Sequence, residues 1–259
     1  MNKQRNYINE ILAKKGRVPP ETNRWELVSG RLNEISSIRY VVDFLEDIER
    51  WSFSGLEECE GYDEWIKQSY EKVQYSSGMR KELLRYIPID CVACIEGYFR
   101  QVYANLIDYG SNYKKNAGKL KDIKLSIEEV INLDLKSVSI GEFIAHLLPT
   151  KNLETINENI SILTNKNFLE ELYLTRTKIK PTHIIKYDEV NQVGVVNIDD
   201  KLHQEMKKSV NKIFELRHKF CHEIDPIFSE DEDSIVEYSQ GVIEFLWLSE
   251  KFFQELLSL

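Results

Sequence analysis

Glycine and proline are scarce, 11 and 6 in 259 residues. So few breakers leave little room for long flexible linkers. No stretch of 18 or more apolar residues occurs, so no segment reads as a membrane-spanning helix. The opening residues, "MNKQRNYINEILAKKG", are polar and lack the apolar core of an export signal, which makes a cytoplasmic protein the expectation. Cysteine is rare as well: Cys59, Cys91, Cys94 and Cys221. Cys91 and Cys94 form a C-x-x-C, but no second pair is spaced to complete a zinc site. Their flanks, "IDCVACIEGYF", read as helix, so both are expected as core cysteines in a reducing compartment. Excess positive charge is missing too. A net charge of −9 argues against a broad, nonspecific nucleic-acid coat, while leaving room for a local positive cleft.

What is present is helical. Hydrophobic residues make up 42% of the chain and charged residues 30%, enough apolar material for a sizeable core. Val28, Leu32, Ile35, Ile38, Val42, Leu45 and Ile48 recur at steps of three and four, one stripe on a long helix that follows the turn "VPPETN". Val92, Ile95, Phe99, Val102 and Leu106 form a second stripe ended by Gly110, with Pro88 placed in the first turn of its helix. Ser126 with Glu129, and Ser139 with Glu142, have capping-box spacing. The second pair leads into "IGEFIAHLLP", and "NLETINENISIL" and "NFLEELYL" read as two more short helices. "HIIKY" and "VGVVNI" are rich in β-branched residues and suit a small hairpin.

The last third continues the helical pattern. Leu202, Met206, Val210, Ile213, Leu216 and Phe220 line a helix that starts near Asp199 or Asp200 and stops around His222 to Ile224, because Pro226 disfavours helical geometry at Asp225. Ile235, Tyr238, Val242, Phe245, Leu248, Phe252 and Leu256 mark a final helix, and the short connection makes the two antiparallel neighbours. The expected fold class is all-α: a helical bundle over 81–259, a helical extension over 1–80 continuous with it as one domain, and a small β-hairpin insertion.

The run "ELRHKFCHEIDP" concentrates unusual chemistry at the end of the penultimate helix. The chain has five histidines, and His218 and His222 stand four apart, on one helix face. Arg217 lies about 100° around from His218. Imidazoles exchange protons near neutral pH, and a guanidinium grips phosphate oxygens in a fixed fork. Together they suit cleavage of a phosphodiester by its own 2′-hydroxyl, with no metal required. A helix C-terminus also favours positive charge there.

Arg217-His218-x-x-x-His222 resembles the signature of the HEPN superfamily: an arginine, a polar residue, then a histidine after a gap of four to six residues, at a helix end ahead of the bundle's last helix. The resemblance implies an α-helical bundle, usually dimeric, and in many members a metal-independent endoribonuclease of toxin–antitoxin or antiviral systems. It implies that Arg217 holds the scissile phosphate, that His222 is the general acid/base and that His218 assists. It further implies an RNA substrate, a homodimer in which two motif copies line one cleft, a possible antitoxin or regulatory partner, and no cofactor. Ile224 stands where some family toxins carry a tyrosine modified by nucleotidyltransferase antitoxins, so that form of control is not expected here. The motif covers six residues, supported by the helix pair over 200–258; over 1–80 the resemblance is negligible.

Other residues offer competing readings. Arg176 and His183 also have the allowed gap, but Pro181 interrupts them. Glu96 and Arg100 fit an ordinary surface ion pair, or else Glu96 orients Arg217 or His222 from the neighbouring helix. His218 and His222 also fit half of a zinc site, with a third ligand from Cys221, Glu223 or elsewhere, though no HExxH pattern is present. His146 and His203 read as isolated helix residues. "YKKNAGKLKDIK" is basic and loop-like, normally a solvated connection. The alternative to a nuclease is a non-catalytic helical module that binds a nucleotide or a protein partner.

Overall fold

Apolar residues three and four apart build nearly every element of the computed structural model, which describes residues 24–53, 62–120, 131, 138–179, 183–186, 194–222 and 232–257. Helix α1 spans Arg24–Phe53, α2 Tyr62–Tyr109, α3 Ser111–Ala117, α4 Ile140–Leu147, α5 Leu153–Thr164 and α6 Phe168–Ile179. Strands β1 (His183–Lys186) and β2 (Gly194–Asn197) pair antiparallel, His183 opposite Asn197 and Lys186 opposite Gly194. Helices α7 (Ile198–His222) and α8 (Glu232–Leu257) complete the chain. The molecule is an all-α bundle with one small hairpin, and among the described residues no helix is long and apolar enough to cross a membrane.

The stripes face inward as their spacing requires. Val28, Leu32, Ile35, Val42 and Leu45 of α1 are buried, with Ile38 packed at the core's edge. Val92, Ile95, Phe99, Val102 and Leu106 of α2 are buried, as are Met206, Val210, Ile213 and Leu216 of α7. At the centre lies an aromatic cluster. Phe99 meets Phe168 edge-on at 5.8 Å and Phe245 at 5.6 Å, and Phe168 stacks on Phe253 at 5.7 Å. These offset and edge-on arrangements suit ring quadrupoles, each worth about 0.5–1.5 kcal/mol beyond area burial.

Two sequence expectations are corrected. Pro88 does not begin a helix: α2 runs unbroken through it for 48 residues. Proline inside a helix removes one hydrogen bond and costs about 3 kcal/mol. Continued burial of Leu84, Ile87 and Cys91 on the same face offsets that cost. The basic run after Gly110 is not simply a loop, because residues 111–117 wind into α3 before Gly118. The capping box at Ser126 and Glu129, the turn "VPPETN" and the stripe residue Ile48 fall outside the described residues or side chains. The box at Ser139 is complete: Ser139 Oγ accepts from the Glu142 amide at 3.0 Å, and Glu142 accepts from the Ser139 amide at 2.9 Å.

That box docks α4 onto α2. The Gly141 amide donates to Asp108 at 3.0 Å, and Ser139 Oγ donates to the same carboxylate. A Cβ at position 141 would lie 2.4 Å from the Ala104 carbonyl oxygen and 2.6 Å from the Asp108 carboxylate. The carbonyl belongs to the backbone of α2 and cannot step aside as a flexible side chain could. Gly141→Ala is therefore expected to destabilise the protein by about 1–3 kcal/mol through overpacking. The gain of about 1 kcal/mol that alanine brings to an ordinary helix interior only partly offsets this. Urea unfolding of the variant measures the difference, and an unchanged midpoint would show that the α2–α4 contact is slack.

Candidate functional site

Helix α7 ends where the sequence places its break, at His222. Its buried face turns toward α2 and α8, so the residues between the core positions point outward over the last turn and a half. His218 and His222 are exposed, and Arg217 is half-buried. The two imidazole rings lie side by side, 4.6 Å between centroids and tilted by 53°. Among the described residues Arg217 makes no hydrogen bond or ion pair, and the histidines have only each other. An arginine without a carboxylate, next to two exposed imidazoles, is a cationic surface free to meet an anion. Cys221 is exposed beside them.

In a straight helix five residues separate Arg217 from His222 by about 140° and about 7.5 Å of rise. The helix thus presents the guanidinium and the distal imidazole in widely separated directions. Glu96 is half-buried on α2, and no hydrogen bond or ion pair joins it to Arg217, to His222 or to Arg100. The bundle does not bring Glu96 to the motif through a direct bond, and the surface ion pair with Arg100 is also not formed.

The other Arg–His pair is a structural one. Arg176 is buried on α6 and bridges to Glu244 of α8 at 2.9 Å, while His183 lies on β1. His203 is buried, its ring edge-on to Tyr173 at 5.5 Å. Among the described residues no three His, Cys, Asp or Glu side chains are grouped so as to hold a metal ion.

Cys91 and Cys94 are both buried with free thiols, as expected for core cysteines. Burial raises the Cys91 thiol strongly, and raises that of Cys94 from the ordinary value of 9.0 to about 11. Thiolate is the reactive form, so native protein at neutral pH should alkylate at Cys221 while Cys91 and Cys94 react only after unfolding, as read by peptide mapping. The sign of the linkage follows from the raised folded pKa. The stabilisation is fully present below about pH 9 and fades as pH climbs through about 11. Rapid labelling of Cys94 in folded protein would show that its helix face opens.

The fold defines an all-α bundle, and the motif is a cationic, histidine-bearing helix end. Comparison with known proteins adds no relative: no family model, no curated protein and no solved structure matches the chain.

Proposed function

We propose that the protein is a metal-independent endoribonuclease of HEPN-like type, acting as a dimer in a toxin or antiphage role. The observation that carries this is the trio Arg217, His218 and His222 at the end of α7, the two histidines exposed and the half-buried arginine without a hydrogen bond or ion pair among the described residues. Among the described residues the two arginines with nearly inaccessible side chains are tied to carboxylates, Arg24 to Glu250 and Arg176 to Glu244. Arg217 is not, which leaves its five donors available to a phosphate.

In the proposed reaction one imidazole takes the proton from a ribose 2′-hydroxyl as its oxygen attacks the adjacent phosphorus. The new O2′–P bond forms as the P–O5′ bond breaks, and a protonated imidazole returns a proton to the departing 5′-oxygen. The products are a 2′,3′-cyclic phosphate and a 5′-hydroxyl. Arg217 neutralises the charge that gathers on the non-bridging oxygens. The wide angle between Arg217 and His222 on one helix favours a site shared by two copies, with each motif facing the other across a two-fold axis.

The test is RNA cleavage by purified protein in excess chelator, with the new ends mapped chemically, alongside growth of cells expressing the native chain. Cleavage with cyclic phosphate ends supports the reaction. Activity that vanishes with chelator would replace it with metal-dependent hydrolysis, and clean but inactive protein would leave a binding module.

A further inference from the structure

At the far end of the bundle a second feature stands apart from the motif. The C-terminal ends of α2 and α8, the short α3 and the turn after α5 enclose an open cleft of about 620 Å³. Among the described residues three lysines line it, Lys115, Lys119 and Lys166, and no aspartate or glutamate does. In a chain of net charge −9 that is a local inversion of sign. Lys166 lies 3.3 Å from Glu171, while Lys115 and Lys119 are exposed and, among the described residues, engaged by no carboxylate.

The same cleft carries two aromatic rings. Tyr109 is 63% exposed, yet its hydroxyl donates to the Leu257 carbonyl at 2.6 Å, so the ring is held in place. Tyr113 packs beside Gly110, where an added Cβ would come within 3.3 Å of its ring. A side chain at 110 would press on that ring, which would have to give by a few tenths of an ångström. Asn116 fixes the wall by donating to the Leu163 carbonyl at 2.9 Å. Anchored rings beside free ammonium groups form the pairing that holds single-stranded nucleic acid: bases stack on the rings and phosphates meet the cations.

From Ser209, which touches Gly241, α7 runs thirteen residues to His222, and α8 runs fifteen residues the other way to Leu256. At 1.5 Å per residue the cleft lies about 40 Å from the motif along the antiparallel pair. It is therefore not part of the histidine site.

We infer that this cleft is an RNA-binding exosite, which grips a single-stranded segment of the substrate at a distance from the cleavage motif. The inference rests on the proposal that the protein acts on RNA, but not on its cleaving RNA.

The experiment uses the full chain carrying His222→Ala, so that RNA stays intact, and a fluorescein-labelled oligouridylate followed by anisotropy across a salt series. Adding Lys115→Gln and Lys119→Gln should lower affinity about 25-fold near 0.1 M salt and flatten the salt slope by about 1.4, because each phosphate contact on a single strand contributes about 0.7. Tyr109→Ala should weaken binding about fivefold or more, the effect of one lost stacked base. Circular dichroism confirms that each variant is folded. Equal affinity and slope with and without the lysines would overturn the exosite, as would an oligouridylate that fails to bind the parent. If native protein still cleaves RNA in either case, the nuclease reading survives alone. If binding depends on the lysines but native protein cuts nothing, the exosite stands and the nuclease reading falls.

Discussion

His222→Ala protein is expected to cleave RNA about 10²–10⁴-fold more slowly than the native chain, the usual contribution of a positioned acid or base. Arg217→Ala should lose about 10²–10³-fold through missing charge stabilisation. Arg217→Lys should recover only part of that, since an ammonium restores the charge but not the two-pronged grip on phosphate. The combined Arg217→Ala and His222→Ala protein should be little worse than the weaker single variant, because residues acting on one transition state do not add. These losses can be assigned to chemistry because the side chains are peripheral. His222 is exposed and Arg217 half-buried without a partner, so neither substitution opens the core. Surface changes of this kind usually fall within about 0.5 kcal/mol of native stability. In cells, the native chain should arrest growth and the His222→Ala chain should not. His222→Ala protein that cuts RNA at the native rate, in excess chelator and with the same ends, would remove imidazole from the mechanism.

Local pattern accounts for most of what was legible in the sequence. The stripes of α1, α2, α7 and α8 follow from apolar spacing alone, and most of the residues they name are buried, with Ile38, Leu202, Phe220, Tyr238 and Leu256 half-buried at their margins. The Ser139–Glu142 box follows from a three-residue offset. The shared face of His218 and His222 follows from a four-residue one, and the rings do lie together. Pro88 misled because the rule that admits proline to a first turn is local, while the packing that keeps α2 continuous through it comes from distant helices. The basic stretch after Gly110 misled for a related reason: lysine and asparagine on an exposed helix leave no apolar stripe, so α3 is invisible to periodicity. Nothing local could place Glu96 relative to Arg217, because that depends on how α2 and α7 cross. Nor does any spacing announce that Tyr109, Lys119 and Lys166 share a cleft, since α2, α3 and the end of α5 meet only in the folded chain.

The least legible contact should be the most costly to break. Arg24, the first residue of α1, and Glu250 of α8 are 226 positions apart and both nearly inaccessible, with 9% and 5% of their side chains exposed. Arg24 Nε and Nη2 both reach Glu250 Oε2, at 2.8 and 2.7 Å, and the Tyr98 hydroxyl donates to the same oxygen at 3.0 Å. Gln254 donates to Oε1 at 3.1 Å, and the guanidinium lies over the Tyr98 ring, 5.2 Å from its centroid. One carboxylate thus joins α1, α2 and α8 in a region without bulk water. Arg24→Ala leaves that carboxylate buried without its cation and is expected to cost about 3–5 kcal/mol. For a chain of this size the melting temperature should fall by roughly 6–20 °C. An isolated ion pair on the surface, such as Arg31 with Glu34, should cost only about 0–1 kcal/mol when broken. Replacing the whole cluster by Arg24→Met, Glu250→Leu and Tyr98→Phe should recover most of the loss, because no polar group is then left unsatisfied. Thermal unfolding of the single and triple variants separates the possibilities. If Arg24→Ala melts within a degree or two of the native protein, water reaches Glu250 and the cluster does not tie α1 to the bundle.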